Sequence, residues 1–167
     1  MAYSRHFPAI NWLNSYSLYT DMLKDWYDKN LADDWVELRR RMMQLLQSEA
    51  ELNEIVKLVG MDALGARERL VLECARSIRE DFLHQNAFDE VDTYTSPRKQ
   101  LFMMRLIMGY YDSALLALEQ QGELNEILKL GIRDEIARFK YTPEQDIDSQ
   151  YEKIKAELLG IAAKKEA

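Results

Sequence analysis

Only six glycines and three prolines interrupt 167 residues, and this scarcity constrains the fold more than any other feature. Glycine weakens a helix interior and proline breaks one, so a chain nearly free of both has little to stop long helices. Most of those that occur sit where helices should end or begin. Gly60 and Gly122 follow apolar-periodic runs, while Ser96-Pro97 and Thr142-Pro143 precede them, as expected for Pro in the first turn and Gly just past the last. The expected fold class is all-α, a helical bundle preceded by an irregular N-terminal arm, with almost no strand.

The periodicity places the helices. A first amphipathic stretch runs from about Leu18 to Lys29. A second opens after Asp33-Asp34, with Trp35, Leu38, Met42 and Leu45 on one stripe. Ser48 is expected to cap a further short helix carrying Leu52, Ile55, Val56 and Val59, which ends at Gly60 in a left-handed conformation. Val71, Cys74, Ala75, Ile78 and Phe82 predict a helix over 66–83, and Leu101, Met104, Met108, Tyr111, Leu115 and Leu118 predict a seam along 97–120. Shorter helices follow over 124–130 and 132–139. A last one opens at Thr142-Pro143 and carries Ile147, Tyr151, Ile154, Leu158 and Ile161 in register, ending in a frayed Lys164-Lys165 tail. The main layers are expected to be 66–83, 97–120 and 143–163.

Two segments fall outside this pattern. Residues 1–17, where Tyr3, Phe7, Trp12 and Tyr16 mix with Pro8 and Asn11, read as an arm that needs another surface, leaving 18–167 as the bundle. Residues 85–95 lose the period at Asn86, Asp89 and Asp92 and read as a loop. Glu51-Leu52-Asn53-Glu54-Ile55 recurs as Glu123-Leu124-Asn125-Glu126-Ile127, but two copies do not make a solenoid.

Composition and motifs exclude more chemistry than they offer. The formal charge of −7, with basic residues scattered among acidic ones, lacks the field that gathers nucleic acid. The lone Cys74 can form no internal disulfide and lies on an apolar stripe, which predicts a reducing, cytoplasmic setting and a buried structural thiol. No apolar run approaches the ~18 residues of a membrane span, and no secretion signal is visible, so no membrane insertion is expected. No Gly is followed by Lys, which excludes a phosphate-binding loop. Only His6 and His84 could join carboxylates at a metal, and the Glu80/His84 pair reads better as a solvated pair near a helix end, so neither metal nor catalytic residue is assigned. The acidic Asp89-Glu90-Val91-Asp92 lacks calcium-loop spacing.

Unaided, these residues describe a helical interaction domain. A resemblance supplies more. Arg5-His6-Phe7-Pro8-Ala9-Ile10-Asn11-Trp12-Leu13 and Ser15-Tyr16-Ser17-Leu18-Tyr19, then Glu54-Ile55-Val56-Lys57-Leu58-Val59-Gly60, Phe82 through Tyr94, and Met103-Met104-Arg105 closely resemble the C-terminal helical part of the catalytic A subunit (alpha chain) of archaeal or bacterial V/A-type rotary ATP synthases. The match covers the chain after Met1-Ala2. Leu58-Val59-Gly60-Met61-Asp62-Ala63-Leu64 is also similar to a segment of the more distant F-type β subunit, in the same register.

The resemblance implies site residues that periodicity does not. Phe88 matches the aromatic packed on adenine, with Gln85, Asn86 and Ala87 as the adjoining wall and Phe7 on the opposite side. The alternatives are a Phe88 that pins its loop to the bundle and a Phe7 that packs on Trp12 or Tyr16. The rotor-facing tip matches Met61, Asp62, Ala63, Leu64, Gly65, Ala66, Arg67, Glu68 and Arg69. Here small residues and mixed charges replace the family's run of carboxylates, which favours shape over electrostatic push.

The implied function is a part of an ion-translocating rotary ATP synthase/ATPase. Its cofactors are ATP/ADP with Mg²⁺ in the intact enzyme, with none held tightly by this piece. Its partners are a non-catalytic B subunit, in an alternating A/B hexamer, and the central stalk, at the cytoplasmic face of a membrane. The catalytic Lys, the Mg²⁺-holding hydroxyl and the general base would belong to other residues, so the chain alone is expected to be inactive. The competing readings are a stand-alone helical adaptor and a helical di-metal enzyme.

Overall fold

The computed structural model describes residues 10–14 and 19–163; Tyr3, Phe7 and Tyr16 of the arm lie outside them. Among the described residues the regular structure is helical throughout. Seven α-helices run in chain order: α1 (Thr20–Asn30), α2 (Trp35–Val59), α3 (Ala66–Ser77), α4 (Pro97–Glu119), α5 (Leu124–Leu128), α6 (Ile132–Arg138) and α7 (Ile147–Ala163). The all-α expectation holds, and the three main layers are α3, α4 and α7 as the sequence predicts, with α2 as a fourth.

α4 is the centre. Leu101, Phe102, Met103, Met104, Leu106, Ile107, Met108 and Tyr110 are all buried, so apolar residues surround its first half instead of forming the single seam expected from three- and four-residue steps. It starts as read, with Pro97 in the first turn and the Ser96 hydroxyl accepting the Lys99 N–H at 3.1 Å. By length and composition α4 could cross a membrane. Its burial in the bundle and a bidentate Arg105–Asp34 pair at 2.8 Å explain the same hydropathy as a core helix. α7 lies along it, with Phe102 stacked on Tyr151 at 4.2 Å and 11°. Gly109 permits the approach, since a Cβ there would stand 3.3 Å from Leu158 Cδ1.

Two helices differ from expectation. Ser48 caps nothing: α2 runs unbroken for 25 residues. A single serine costs only about half a kcal/mol of propensity, and the next residue, buried Glu49, takes three hydrogen bonds from Arg79 at 2.8–3.1 Å, tying the middle of α2 to the bundle. The predicted helix over 66–83 changes register at its end, where Ile78–Leu83 form a π segment. The wider turn keeps Ile78 in the core while Arg79 faces Glu49. Such turns are frequent next to functional sites.

The ends of α2 and α4 use different chemistry. Gly60 takes φ +87° and ψ 165°, a conformation open essentially to glycine alone. After α4 the left-handed residue is Gln121, φ 64°, one residue before Gly122. The Gly122 N–H bonds Ala117 O at 2.8 Å and the Gln121 N–H bonds Leu118 O at 3.0 Å, a Schellman ending. Gly122 is needed because a Cβ would fall 2.7 Å from Ala117 O.

α1 begins at Thr20 and ties to α2 through Tyr27 stacked on Trp35, 5.3 Å apart and 16° from parallel. From the arm, Trp12 is half-buried against the core, where it helps line an apolar cavity of about 220 Å³ with Trp35, Met42, Phe82, Leu83 and Met104.

Candidate functional site

The loop that follows the π segment carries the adenine candidates. Its backbone is held by its own side chains. Asp92, 2% exposed, accepts the Asn86 N–H at 2.6 Å. Asp89 Oδ1 accepts the N–H groups of Val91 and Asp92, both at 2.9 Å. Thr93 donates its hydroxyl to Asn86 O at 3.2 Å, and Asn86 Oδ1 accepts the Phe88 N–H at 3.1 Å. The acidic run therefore builds the loop's scaffold, because each Asp satisfies amides that a tight non-helical turn leaves without partners.

On this scaffold the Phe88 ring stands fully in solvent, 100% exposed. That excludes the alternative in which Phe88 pins the loop to the bundle. Asn86 and Ala87 are exposed beside it and Gln85 is half-buried.

The sequence missed the residues behind the loop. Lys99, fully buried, donates from Nζ to Lys140 O at 2.5 Å and Thr142 O at 2.7 Å. Burial pushes its ammonium below the ordinary lysine range, against the pull of Glu144 and Asp92. Lys140, also buried, donates from Nζ to Glu80 O and His84 O, both at 3.2 Å. Buried lysines are rare. No local signal marks them, since their acceptors lie 41 to 60 residues away.

The second candidate set occupies the tip between α2 and α3. A one-turn 3₁₀ helix, Met61–Ala63, follows Gly60. The Gly65 N–H donates to Glu68 Oε2 at 2.7 Å, starting α3. Arg69 bonds Met61 O at 3.3 Å and stands 3.5 Å from Asp62. Met61, Asp62, Ala63, Gly65, Ala66, Arg67 and Glu68 are exposed and Arg69 is half-buried, but Leu64, at 6%, belongs to the core. Apolar exposure continues down α2 through Ile55, Leu58 and Val59.

Elsewhere the chemistry is structural. Cys74 is buried with its thiol pushed up to about 12 by desolvation, so it is no nucleophile near neutral pH. It borders a polar cleft of about 340 Å³ in which Arg133 pairs with Glu73 at 2.7 Å and burial raises the Asp81 carboxyl, opposed by a 2.6 Å bond from the Ser77 hydroxyl. Glu80 pairs with Arg76 at 3.0 Å. Among the described residues no group of three or more His, Cys, Asp and Glu side chains could hold a metal.

The arrangement defines a helical domain that presents the exposed Phe88 ring on a fixed loop and an exposed interhelical tip. The chain belongs to the family of C-terminal domains of V and A type ATP synthases, whose model matches residues 24–128. It is 55% identical to the V-type ATP synthase alpha chain of Acetivibrio thermocellus over 158 residues, 95% of this chain and 27% of that one. Against the alpha chain of Thermoanaerobacter pseudethanolicus the identity is 57% over 164 residues, 96% and 28%. Against that of Clostridioides difficile it is 54% over 158 residues, 95% and 27%. The chain thus spans about a quarter of the length of the curated relatives it matches. These relatives are bacterial, which gives the archaeal side of the sequence expectation no support.

Proposed function

We propose that this domain forms the adenine side of the nucleotide pocket of a rotary ATP synthase alpha chain and carries nucleotide occupancy to a rotor. The observation that carries this reading is the fully exposed Phe88 ring on a loop fixed by buried Asp92, in a chain of that family. An adenine laid on Phe88 against the wall of Gln85, Asn86 and Ala87 gains stacking and dispersion without any phosphate contact. Phe7 would close the opposite side. Phosphates and Mg²⁺ would be held by residues other than these, because no Gly-Lys loop occurs here, and the chain alone would hydrolyse nothing. The assembly would be an alternating ring with a non-catalytic subunit, peripheral to the membrane.

Phe88→Ala in the assembled enzyme is expected to raise KM for ATP roughly 5- to 150-fold, the equivalent of about 1–3 kcal/mol of base stacking. An unchanged KM would sink the adenine reading.

The exposed tip 61–69 would meet the central stalk, with Leu64 buttressing it from within and the apolar stretch Leu58, Val59 and Met61 adding contact area. Its mixed charges favour contact by shape. Cys74, the only native cysteine, is buried and inert, so Asp62→Cys introduces the one reactive thiol of this chain. A thiol cross-linker is expected to join that residue to a stalk subunit in the assembled enzyme. Linkage only to ring subunits would refute the rotor contact.

A further inference from the structure

Phe88 makes its position depend wholly on its backbone, because its ring is 100% exposed. That backbone is fixed on both sides. Asp92 and Thr93 hold Asn86 from the following turn. On the preceding side, the π segment Ile78–Leu83 ends with carbonyls that no regular α-turn receives, and the Lys140 ammonium takes those of Glu80 and His84 at 3.2 Å each. Lys140 is itself anchored, since Lys99 holds the carbonyls of Lys140 and Thr142.

Burying two ammonium groups costs desolvation that apolar side chains of similar volume would avoid. What an apolar residue cannot do is satisfy four carbonyls of irregular backbone at one spot. We infer that Lys140 is a positioning residue for nucleotide binding, fixing through the carbonyls of Glu80 and His84 where the loop leaves the π segment and hence where Phe88 stands, with Lys99 securing it from behind. The inference rests on the adenine reading of Phe88.

The test uses the assembled enzyme. Lys140→Met is expected to raise KM for ATP about tenfold, the cost of loosening a binding surface through lost charge-assisted bonds, with kcat within about twofold. Competitive inhibition by pyrophosphate, which has no base, should not change. Hydrogen exchange should speed up at amides 85–88 and not across α4 and α7, whereas a merely structural lysine would loosen the bundle generally. Lys140→Arg, which keeps the cation and its donors, should recover most of the affinity. If Lys140→Met fails to assemble, Lys140→Gln, a shorter side chain with a neutral donor, should give a rise of about threefold and the same local exchange. If Phe88→Ala raises KM but the Lys140 variants leave KM and loop exchange unchanged, the positioning role is wrong and the adenine reading stands. If Phe88→Ala is itself without effect, both fall.

Discussion

Phe139→Ala is expected to destabilise the domain by about 4 kcal/mol, within the usual cost of truncating a buried phenylalanine. Phe139 is 1% exposed and among the largest fully buried side chains. It opens the 3₁₀ turn Phe139–Tyr141 directly after α6, so the cavity would form where α6 turns toward the last helix. In a domain of this size the loss corresponds to a fall in Tm of roughly 10 °C, readable by thermal denaturation of the isolated chain. A fall under 2 °C would mean that the turn closes around the gap and that the core is softer there than its burial implies. The substitution also touches the site at one remove, because the next residue is Lys140.

Lys99→Met comes second, with an expected loss of about 3 kcal/mol. Methionine fills much of the lysine stem's volume, so the cavity contribution is small. The loss arises from two buried carbonyls, those of Lys140 and Thr142, each costing about 1–3 kcal/mol when left without a donor. Set against this is the relief of burying a charge, which reduces the net effect.

The pH dependence separates the two contributions. Burial holds the folded ammonium below the ordinary 10.5, so the native state binds fewer protons than the unfolded chain in the alkaline range. The charge penalty is full below the depressed value and is relieved as pH rises toward 10.5. The stability gap between the native protein and Lys99→Met should therefore widen on the alkaline side. A gap that narrows there, or a variant as stable as the native chain at neutral pH, would show that water, and not Lys99, serves those carbonyls.

Helix ends were the most legible part of the fold. Ser96-Pro97 starts α4 by a hydroxyl bond three residues long, and Gly60 ends α2 through its own φ. Both devices act within a few residues of chain, so they appear in the spelling. The error at Ser48 has the same origin reversed, because its local capping signal is overridden by a long-range partner: Glu49 binds Arg79 thirty residues on. Gly122 marks the end of α4 as read, although the left-handed residue is Gln121 and the glycine is kept clear for Ala117 O.

The candidate site divides likewise. Family spelling pointed to Gln85 through Phe88 and to the tip 61–69, and Asp89 and Asp92, in the acidic run that lacks calcium-loop spacing, are the amide acceptors that shape the loop. Within the tip, burial of Leu64 could have been suspected only from its neighbours in space.

What the sequence determined by itself was the all-helical class, the order of the main helices, the absence of a phosphate-binding loop and the membership that its motifs carry. Each follows from near-neighbour periodicity, from residue types at fixed short spacing, or from spelling. What only the tertiary structure decided was the π register at Ile78–Leu83, the full exposure of Phe88 and the burial of Lys99 and Lys140. A lysine reads as solvent-facing in any sequence, and it goes inside only where the fold brings distant carbonyls together and leaves them no other donor.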